Sequence, residues 1–247
     1  MSAFGVATGG LTEKDRDRFA DLTVRDGYTV MRREDLRPLM TGEDFRSLRR
    51  AWNDLCLDTE LADGGTYRYR RYGRLAVEVT EQGVQFAPLP HATFRQDVIP
   101  LWQGKDRSFA PISEEVLLGA GMRALVGLDA QLASAVSGRT SWTVGIHLIR
   151  VIAPLGAVGK PTPEGRHRDG HLFVGMHLLR RDDCDGGLST VYPERREPVS
   201  LTLTDPLDSM FVDDNRVMHE VSPTRAAEVV DGIRDMLLVD LNAPGAE

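Results

Sequence analysis

The sequence has few cysteines and no long apolar run, and each shortage excludes a class of protein. Its 247 residues contain two cysteines, Cys56 and Cys184, without a CxxC pair, so a disulfide scaffold is not expected. No apolar stretch of about 18 residues is present to span a membrane. The N-terminal segment lacks the basic and apolar regions of a signal peptide. These absences predict a cytoplasmic protein.

Basic residues are also in the minority. The chain has 30 Lys and Arg against 37 Asp and Glu, a formal net charge of −7, which argues against a general nucleic-acid-binding surface. The densest basic run is Arg68–Arg74, which interleaves Arg with Tyr. We interpret it as a strand with Arg on one face and Tyr on the other. A small molecule is therefore the expected partner, and some of these arginines are candidates to face an anionic one.

Apolar spacing predicts helices in the first sixty residues and again near the middle of the chain. Thr12 with Asp15, and Thr41 with Asp44, form capping-box patterns that begin helices. The segment 114–136 carries apolar residues at helical spacing. With 41% apolar residues the chain suits one sizeable globular domain. We expect residues 1–60 to form an N-terminal helical extension of that domain, whose main part spans residues 61–247.

After Gly138 the pattern changes to short strands separated by Gly, Pro and Asp. Residues 67–79 have the same strand-like character. Many short strands in succession favour an antiparallel sandwich or barrel over a βαβ fold. The predicted fold class is α+β, with a double-stranded β-helix (jelly-roll or cupin-like) core buttressed by helices. The predicted strands of the second half are 142–153, 171–179, 186–192, 198–204, 208–214 and 234–242.

Three residues in this strand-rich half indicate a metal site. His167 and Asp169 are two residues apart, and on a strand such residues point to the same face. His219 follows about fifty residues later on another predicted strand. Two His and one carboxylate form the facial triad of non-haem Fe(II) oxygenases, which leaves metal positions open. The HExxH motif of zinc hydrolases is absent from the sequence, so iron is favoured.

Four segments of the sequence resemble the 2-oxoglutarate/Fe(II) dioxygenase family that includes bacterial L-isoleucine dioxygenase. They are PTPEGRHRDGHLFVGMHLLRR, GGLSTVY, LTDPLDSMFVDDNRVMHEVSP and RDMLLVDLN. Two upstream segments, TFRQDVIPLWQGKDRSFAPI and GIHLIRVIA, are also similar to that family. The resemblance covers residues 67–242 and is most specific from Pro161 onward, whereas residues 1–60 contain no motif of the family.

The resemblance implies the cofactors and the residues that hold them. His167, Asp169 and His219 would bind Fe(II), with 2-oxoglutarate and molecular oxygen as co-substrates. Arg234 would pair with the distal carboxylate of 2-oxoglutarate, a role that suits its planar, permanently charged fork. Arg225, in the turn SPTRAA, is the competing anchor. A carboxylate at position 169 implies hydroxylation, because related halogenases have a small residue there.

The implied substrate is a free L-amino acid or a close derivative, hydroxylated at an unactivated carbon. Its carboxylate and ammonium groups require a cation and an acceptor. Gln96 and Arg150 are the candidates, because both lie in segments that resemble the family. His171 continues the strand parity of the His-x-Asp pair and is a third candidate for the pocket. Further arginines in the upstream segments are Arg68, Arg70 and Arg107.

Two other functions remain open from the sequence. The same barrel and ligands would suit a cupin-like metal isomerase or hydrolase, and they would also suit a non-catalytic metal-binding sensor module. Fold alone does not decide among these functions. Formation of succinate that depends on both iron and 2-oxoglutarate would distinguish the dioxygenase from both.

Overall fold

The computed structural model describes residues 11–245, so the first ten residues of the predicted extension and residues 246 and 247 lie outside the described part. Thr12 and Thr41 cap the helices that begin at Glu13 and Gly42 by accepting hydrogen bonds from the backbone N–H groups of Asp15 and Asp44, as their sequence pattern predicts. No helix among the described residues is long and apolar enough to cross a membrane. The helices are α1 (Glu13–Asp26), α2 (Arg33–Leu36), α3 (Gly42–Arg50), α4 (Glu114–Leu117) and α5 (Ala120–Ser137).

The strands form an α+β fold with a jelly-roll core. An eight-stranded antiparallel sheet has the order β1-β10-β6-β13-β5-β3-β2, with β4 paired to β3, and a smaller sheet has the order β11-β8-β9. A two-stranded sheet joins β12 and β7. The strands are β1 (Tyr28–Met31), β2 (Cys56–Leu57), β3 (Arg68–Thr80), β4 (Gly83–Pro88), β5 (Ser141–Ala153), β6 (Phe173–Asp182), β7 (Cys184–Gly186), β8 (Leu188–Pro193), β9 (Val199–Thr202), β10 (Ser209–Asp213), β11 (Val217–Val221), β12 (Thr224–Ala226) and β13 (Gly232–Asn242).

The eight-stranded sheet buries apolar residues on both of its faces. On β5, Val144, Ile146 and Leu148 pack into the core beneath the helices. Ile149 and Val151 point to the other face and line a cavity between the two larger sheets, because successive side chains on a strand alternate. Met176 of β6 and Val191 of β8 belong to one apolar cluster that joins those two sheets. The helices therefore cover one face, and the cavity lies on the other.

Residues 11–60 are not purely helical, which corrects the expectation of a helical extension for this described part of residues 1–60. Strand β1 pairs with β10, with Tyr28 opposite Val212, and β2 pairs with β3. Trp52 is buried in the main core, and its Nε1 donates a hydrogen bond of 3.1 Å to the carbonyl of Ile149. Both strands are short, so they carry little of the alternation that identifies a strand. This part of the chain is integral to the sheet and its core.

The six predicted strands of the second half are confirmed within a few residues, and His219 lies on β11 as expected. The prediction that His167 and Asp169 share a strand is wrong, because both lie in the loop before β6. Only His167 is paired, through backbone hydrogen bonds of 3.0 and 2.9 Å with His219. Gly170 follows in a left-handed conformation with φ of 88°, which interrupts any strand at that point.

Candidate metal centre and its cavity

Three side chains from two segments converge on one wall of the cavity. His167 Nε2 lies 3.4 Å from Asp169 Oδ1, and His219 Nε2 lies 3.3 Å from Asp169 Oδ2. The potential ligand atoms of these residues all lie within 4.8 Å of one another. Ligands about 2.1 Å from one ion and at right angles to each other are about 3 Å apart. The observed spacing therefore fits a single metal ion.

The backbone fixes the two histidines relative to each other. The hydrogen bonds between His167 and His219 join the loop before β6 to β11, and the two ring centroids are 4.5 Å apart. His167 Nδ1 donates a hydrogen bond of 2.7 Å to the carbonyl of Gly165. This hydrogen bond leaves Nε2 as the ring atom that can bind a metal. Both rings thus present a nitrogen to the Asp169 carboxylate.

Asp214 positions the loop that carries Asp169. Its Oδ1 accepts a hydrogen bond of 3.0 Å from the backbone N–H of Asp169, and its Oδ2 accepts bonds from Gly170 and His171 at 2.7 and 3.2 Å. Asp214 is buried in the turn between β10 and β11. Burial and then the charge of Asp169 raise the pKa of Asp214. In the sequence Asp214 stands in the run Asp213-Asp214-Asn215, a pattern typical of a turn that gives no signal of this role.

Gln96 also contacts Asp169, although the sequence suggested a substrate contact for it. Its Nε2 donates hydrogen bonds of 3.1 Å to Asp169 Oδ1 and 3.3 Å to the Asp169 carbonyl. Arg107 in turn donates to Gln96 Oε1. The backbones of Phe94 and Arg107 pair through hydrogen bonds of 2.8 and 3.0 Å, which places both side chains on the same side of the cavity. Gln96 lines the cavity but holds the candidate metal ligand.

The Asp169 carboxylate and the protonated imidazole of His167 neutralise each other in the metal-free protein. Burial lowers the pKa of His167, but the hydrogen bond and charge of Asp169, with the charge of Glu164, outweigh burial and raise this pKa to about 9. Burial raises the pKa of Asp169, but hydrogen bonds from His167 and His219 outweigh it and hold the pKa well below its usual range. A metal ion would replace the proton that His167 carries, so the donor set fits a divalent cation.

Arg234 lies on β13 and lines the same cavity as these three residues. It is 4% exposed, and its Nε has no hydrogen-bond partner among residues 11–245. Burial and then the charge of Arg181 lower the pKa of Arg234 to about 10, so it remains cationic at neutral pH. Arg225, the competing anchor, lies exposed on β12. The structure thus places Arg234 in the cavity and Arg225 outside it.

The other two predicted substrate residues lie outside this cavity. Arg150 points away from the cavity, because on β5 it alternates with the cavity-lining residues Ile149 and Val151. It forms two hydrogen bonds of 2.7 Å with the buried Asp235. His171 lines a neighbouring pocket of about 520 Å³. Its Nδ1 bonds Asn242 at 2.8 Å, and its Nε2 lies 3.4 Å from Asp240 Oδ2. The expectation that Arg150 lines the site is therefore not met.

The sequence matches the sequence model of the 2OG-Fe dioxygenases over residues 49–240. The chain belongs to the 2OG-Fe dioxygenase family. Enzymes of this family use Fe(II), 2-oxoglutarate and molecular oxygen, and the His–Asp–His group described above is consistent with that cofactor set.

Solved structures of other proteins share the fold of this chain. A BsmA homolog from Methylobium petroleophilum is 29% identical, has a TM-score of 0.84, and the match covers 94% of each chain. IDO from Bacillus thuringiensis shares the fold at 19% identity and a TM-score of 0.74 over 99% of each chain. The Fe(II)/α-ketoglutarate-dependent dioxygenase TqaL shares it at 17% identity and a TM-score of 0.72, over 94% of this chain and 88% of the other. No curated protein matches this sequence significantly.

The cavity of this dioxygenase also contains buried charges whose position could not be read from the sequence. Arg70 donates a hydrogen bond of 2.6 Å to His147 Nδ1, and His147 Nε2 bonds Asp240 Oδ2 at 2.6 Å. A guanidinium can only donate, so Nδ1 accepts and the proton of the neutral imidazole is on Nε2. Burial and then the charge of Arg70 lower the pKa of His147 to about 4. His147 is therefore neutral at physiological pH.

Proposed function

We propose that this protein is an Fe(II)/2-oxoglutarate-dependent dioxygenase that hydroxylates an unactivated carbon of a free L-amino acid or a close derivative. The observation that carries the proposal is that a His–Asp–His group and a buried arginine without a carboxylate partner among residues 11–245 line one cavity. In this proposal His167, Asp169 and His219 hold Fe(II). Arg234 pairs with the distal carboxylate of 2-oxoglutarate, and the exposed Arg225 has no role in the site.

The iron, when bound, supplies the redox chemistry: 2-oxoglutarate becomes succinate and carbon dioxide while one atom of O2 enters the substrate. The residues of the chain bind, orient and exclude water. Three protein ligands leave metal positions for the co-substrate and oxygen, and the Asp169 carboxylate favours hydroxylation. Apolar residues such as Val174, Met176 and Leu238 line the cavity beside the ligands, which keeps the site dry. Arg234 orients 2-oxoglutarate at one end.

The enclosed position of the site supports a small substrate. The cavity is bounded by both larger sheets and by residues 94–107, an arrangement that favours a small molecule over a long polymer. We place the protein in the branch of the family that includes bacterial L-isoleucine dioxygenase. Cys56 and Cys184 are both free thiols, which fits action in the reducing cytoplasm.

The test is a succinate-release screen with purified, Fe(II)-loaded protein, 2-oxoglutarate and oxygen across the twenty amino acids and common derivatives. We expect one compound or a small group to stimulate succinate formation, with hydroxylated product detected by mass spectrometry. His219→Ala should abolish turnover and lower iron occupancy, because it removes one of three protein ligands. His91→Ala is the matched control, since His91 is exposed in a loop.

Each negative result has a distinct meaning. Succinate that depends on iron and 2-oxoglutarate but is stimulated by no amino acid would keep the dioxygenase and change its substrate. Turnover without 2-oxoglutarate would favour the isomerase or hydrolase. Metal binding without any turnover would favour the sensor module.

A further inference from the structure

Two buried arginines in the cavity form no direct ion pair within residues 11–245. Arg70 is 6% and Arg107 is 2% exposed, and both line the cavity that contains the His–Asp–His group. Neither forms an ion pair with a described carboxylate, and the Nε of each has no hydrogen-bond partner within residues 11–245. Arg68, by contrast, is paired with the buried Asp58 at 2.7 Å. A buried charge without a counter-charge is destabilising, so Arg70 and Arg107 form a site for an anion.

The surroundings of these two arginines hold them in place without a direct bond to a described carboxylate. Arg70 Cζ lies 5.1 and 4.0 Å from the ring centroids of Phe94 and Phe109, and Arg107 Cζ lies 5.0 and 5.7 Å from the same centroids. Their hydrogen bonds go to the neutral His147 and the amide of Gln96. Burial, and then the charges of neighbouring arginines, lower the pKa of Arg70 to about 9 and that of Arg107 to about 10. Both remain cationic at neutral pH.

Glu164 supplies the opposite charge in the same cavity. Its Oε2 is buried without a hydrogen-bond partner in the described part of the chain, and its Oε1 lies 3.6 Å from His167 Nε2. Its charge also acts on the guanidinium of Arg107, although no ion pair joins the two. Glu164 is not part of the group whose ligand atoms all lie within 4.8 Å of one another. Glu164 Oε2 is thus an acceptor without a hydrogen-bond partner among the described residues, in the cavity that Arg70, Arg107 and the candidate metal ligands also line.

We propose that Arg70 and Arg107 bind the carboxylate of the amino-acid substrate and that Glu164 accepts its ammonium group. This assignment rests on the proposed function. An α-amino acid carries the two charges on adjacent groups, and so satisfies both unpaired sites at once. An ester or an N-acylated compound lacks one of these charges, and a residue in the interior of a peptide lacks both, so at least one buried group would stay unpaired. The cavity therefore selects free zwitterions.

The test is substrate binding to the Fe(II)- and 2-oxoglutarate-loaded protein under anaerobic conditions, measured by calorimetry. The probes are the amino acid that binds best among the twenty, its methyl ester, and its α-hydroxy acid, in which hydroxyl replaces ammonium. The wild-type protein should bind the amino acid about thirtyfold or more tightly than either analogue, as expected for the loss of a charge-assisted partner from a desolvated site.

The variants should remove this selectivity one charge at a time. Arg70→Met and Arg107→Met should weaken binding of the amino acid but not of its methyl ester, so the ratio of the two Kd values approaches one. Glu164→Gln should bring the ratio for the α-hydroxy acid towards one instead. A merely structural role would weaken all three ligands equally. Arg71→Met is the matched control, because Arg71 lies on the opposite face of β3 and donates to the carbonyls of Asp54 and Pro111.

Circular dichroism identifies any variant that fails to fold, and Arg70→Lys and Arg107→Lys then replace the methionine variants. With either lysine variant, binding of the amino acid should weaken while its preference over the methyl ester remains. The proposal is overturned if none of the twenty amino acids binds, or if the methyl ester binds to the wild-type protein as tightly as the amino acid does. It is also overturned if each variant weakens the binding of all three ligands equally. Iron-dependent succinate formation from 2-oxoglutarate by the wild-type protein without an amino acid would then retain the dioxygenase and reject only the zwitterion site. Its absence as well would reject both.

Discussion

Arg234 is a buried cation with no acidic partner among residues 11–245, and its substitution should act on co-substrate binding. Arg234→Ala should raise the 2-oxoglutarate concentration for half-maximal succinate formation about thirtyfold or more, because losing a charge-assisted partner in a desolvated site costs about 2–5 kcal/mol. Iron binding should be largely unchanged. Arg225→Ala is the control, since Arg225 is exposed. The reverse pattern, with Arg225→Ala raising the requirement, would move the anchor to β12.

His147 should make the stability of the protein fall in mild acid. Its pKa is about 4 in the folded protein, against 6.5 for an unperturbed histidine. Between these values the unfolded chain binds a proton that the folded protein does not, so the free energy of unfolding decreases as pH falls from 6.5 to 4. The decrease amounts to about 1.4 kcal/mol per pH unit in the middle of this window. Above pH 6.5 this contribution is complete, and below pH 4 no more is lost.

Urea unfolding of the wild-type protein and of His147→Gln at several pH values measures this effect. Between pH 6.5 and 5 the wild-type protein should lose about 2 kcal/mol more than the variant, because glutamine does not titrate. Other groups titrate in both proteins and cancel in the comparison. Parallel stability curves for the two proteins would show that His147 titrates normally.

Single residues differ in how far the sequence identified their surroundings. The spacing of His167, Asp169 and His219 predicts that their side chains lie together, and they do. They are brought together by a loop that pairs with β11 through an isolated bridge between His167 and His219, not by two paired strands. Gln96 is predicted to bind substrate because its segment resembles the family, but it bonds Asp169 instead. That hydrogen bond depends on an irregular loop, which no periodicity in the sequence describes. Arg150 was selected in the same way, and strand parity alone would have assigned it to the face opposite Ile149.

A fully buried polar group joins α5 to the eight-stranded sheet. His177 Nε2 lies 2.8 Å from Asp129 Oδ2, and His177 Nδ1 lies 2.8 Å from Ser209 Oγ. All three residues are completely inaccessible to solvent, so this Ser–His–Asp arrangement is structural rather than nucleophilic. Burial raises the pKa of Asp129. The helix approaches the sheet closely at this point, since β6 carries Gly175 directly opposite Asp129.

Gly175→Ala should therefore destabilise the fold strongly. A Cβ atom at this position would lie 2.0 Å from Asp129 Oδ2, and it would displace the buried Asp129 side chain from its hydrogen bond with His177. We expect a loss of about 3 kcal/mol in the free energy of unfolding, measured by urea denaturation. Gly42→Ala is the control, because Gly42 is exposed at the start of α3 and its nearest contact would be Arg46 at 3.4 Å. Equal stabilities of the two variants would contradict this account.

Long elements were easier to predict than short ones. The periodicity of β3, β5 and β13 extends over many residues, so their positions were predicted closely. Strand β1 follows α1 after a single glycine and has four residues, too few to show alternation. The loop before β6 resembles a strand by parity, but Gly170 in its left-handed conformation ends that parity. Local backbone geometry, rather than apolar pattern, determines these exceptions.

At the scale of the whole molecule, the jelly-roll core was predictable and the contribution of the N-terminal residues was not. Antiparallel order and strand number follow from the succession of short strands and turns. The pairing of β1 with β10 joins residues about 180 positions apart, and no local pattern encodes such a contact. The anionic and cationic groups of the cavity likewise come from distant segments, as Arg70, Arg107 and Glu164 show.

One close contact lies beside the residues that the cavity and the neighbouring pocket share, since Gln96 and Asp169 line both while Val98 and Gly170 line the pocket. Val98 packs on Gly170, where a Cβ atom would lie 2.6 Å from Val98 Cγ2. Gln96, on the same loop as Val98, donates a hydrogen bond to Asp169. Gly170→Ala should push this segment outward and admit water to the reacting centre. The variant should then form less hydroxylated product per succinate than the wild-type protein, as measured by quantifying both. Gly104→Ala is the control, since Gly104 has a similarly positive φ but no atom within 4 Å.

An unchanged ratio of product to succinate in Gly170→Ala would show that this contact does not seal the site. If the ratio falls as expected, the stoichiometry of the reaction depends on a position that touches neither metal nor substrate. The lack of a Cβ atom at position 170 then determines what fraction of the oxygen consumed yields hydroxylated product.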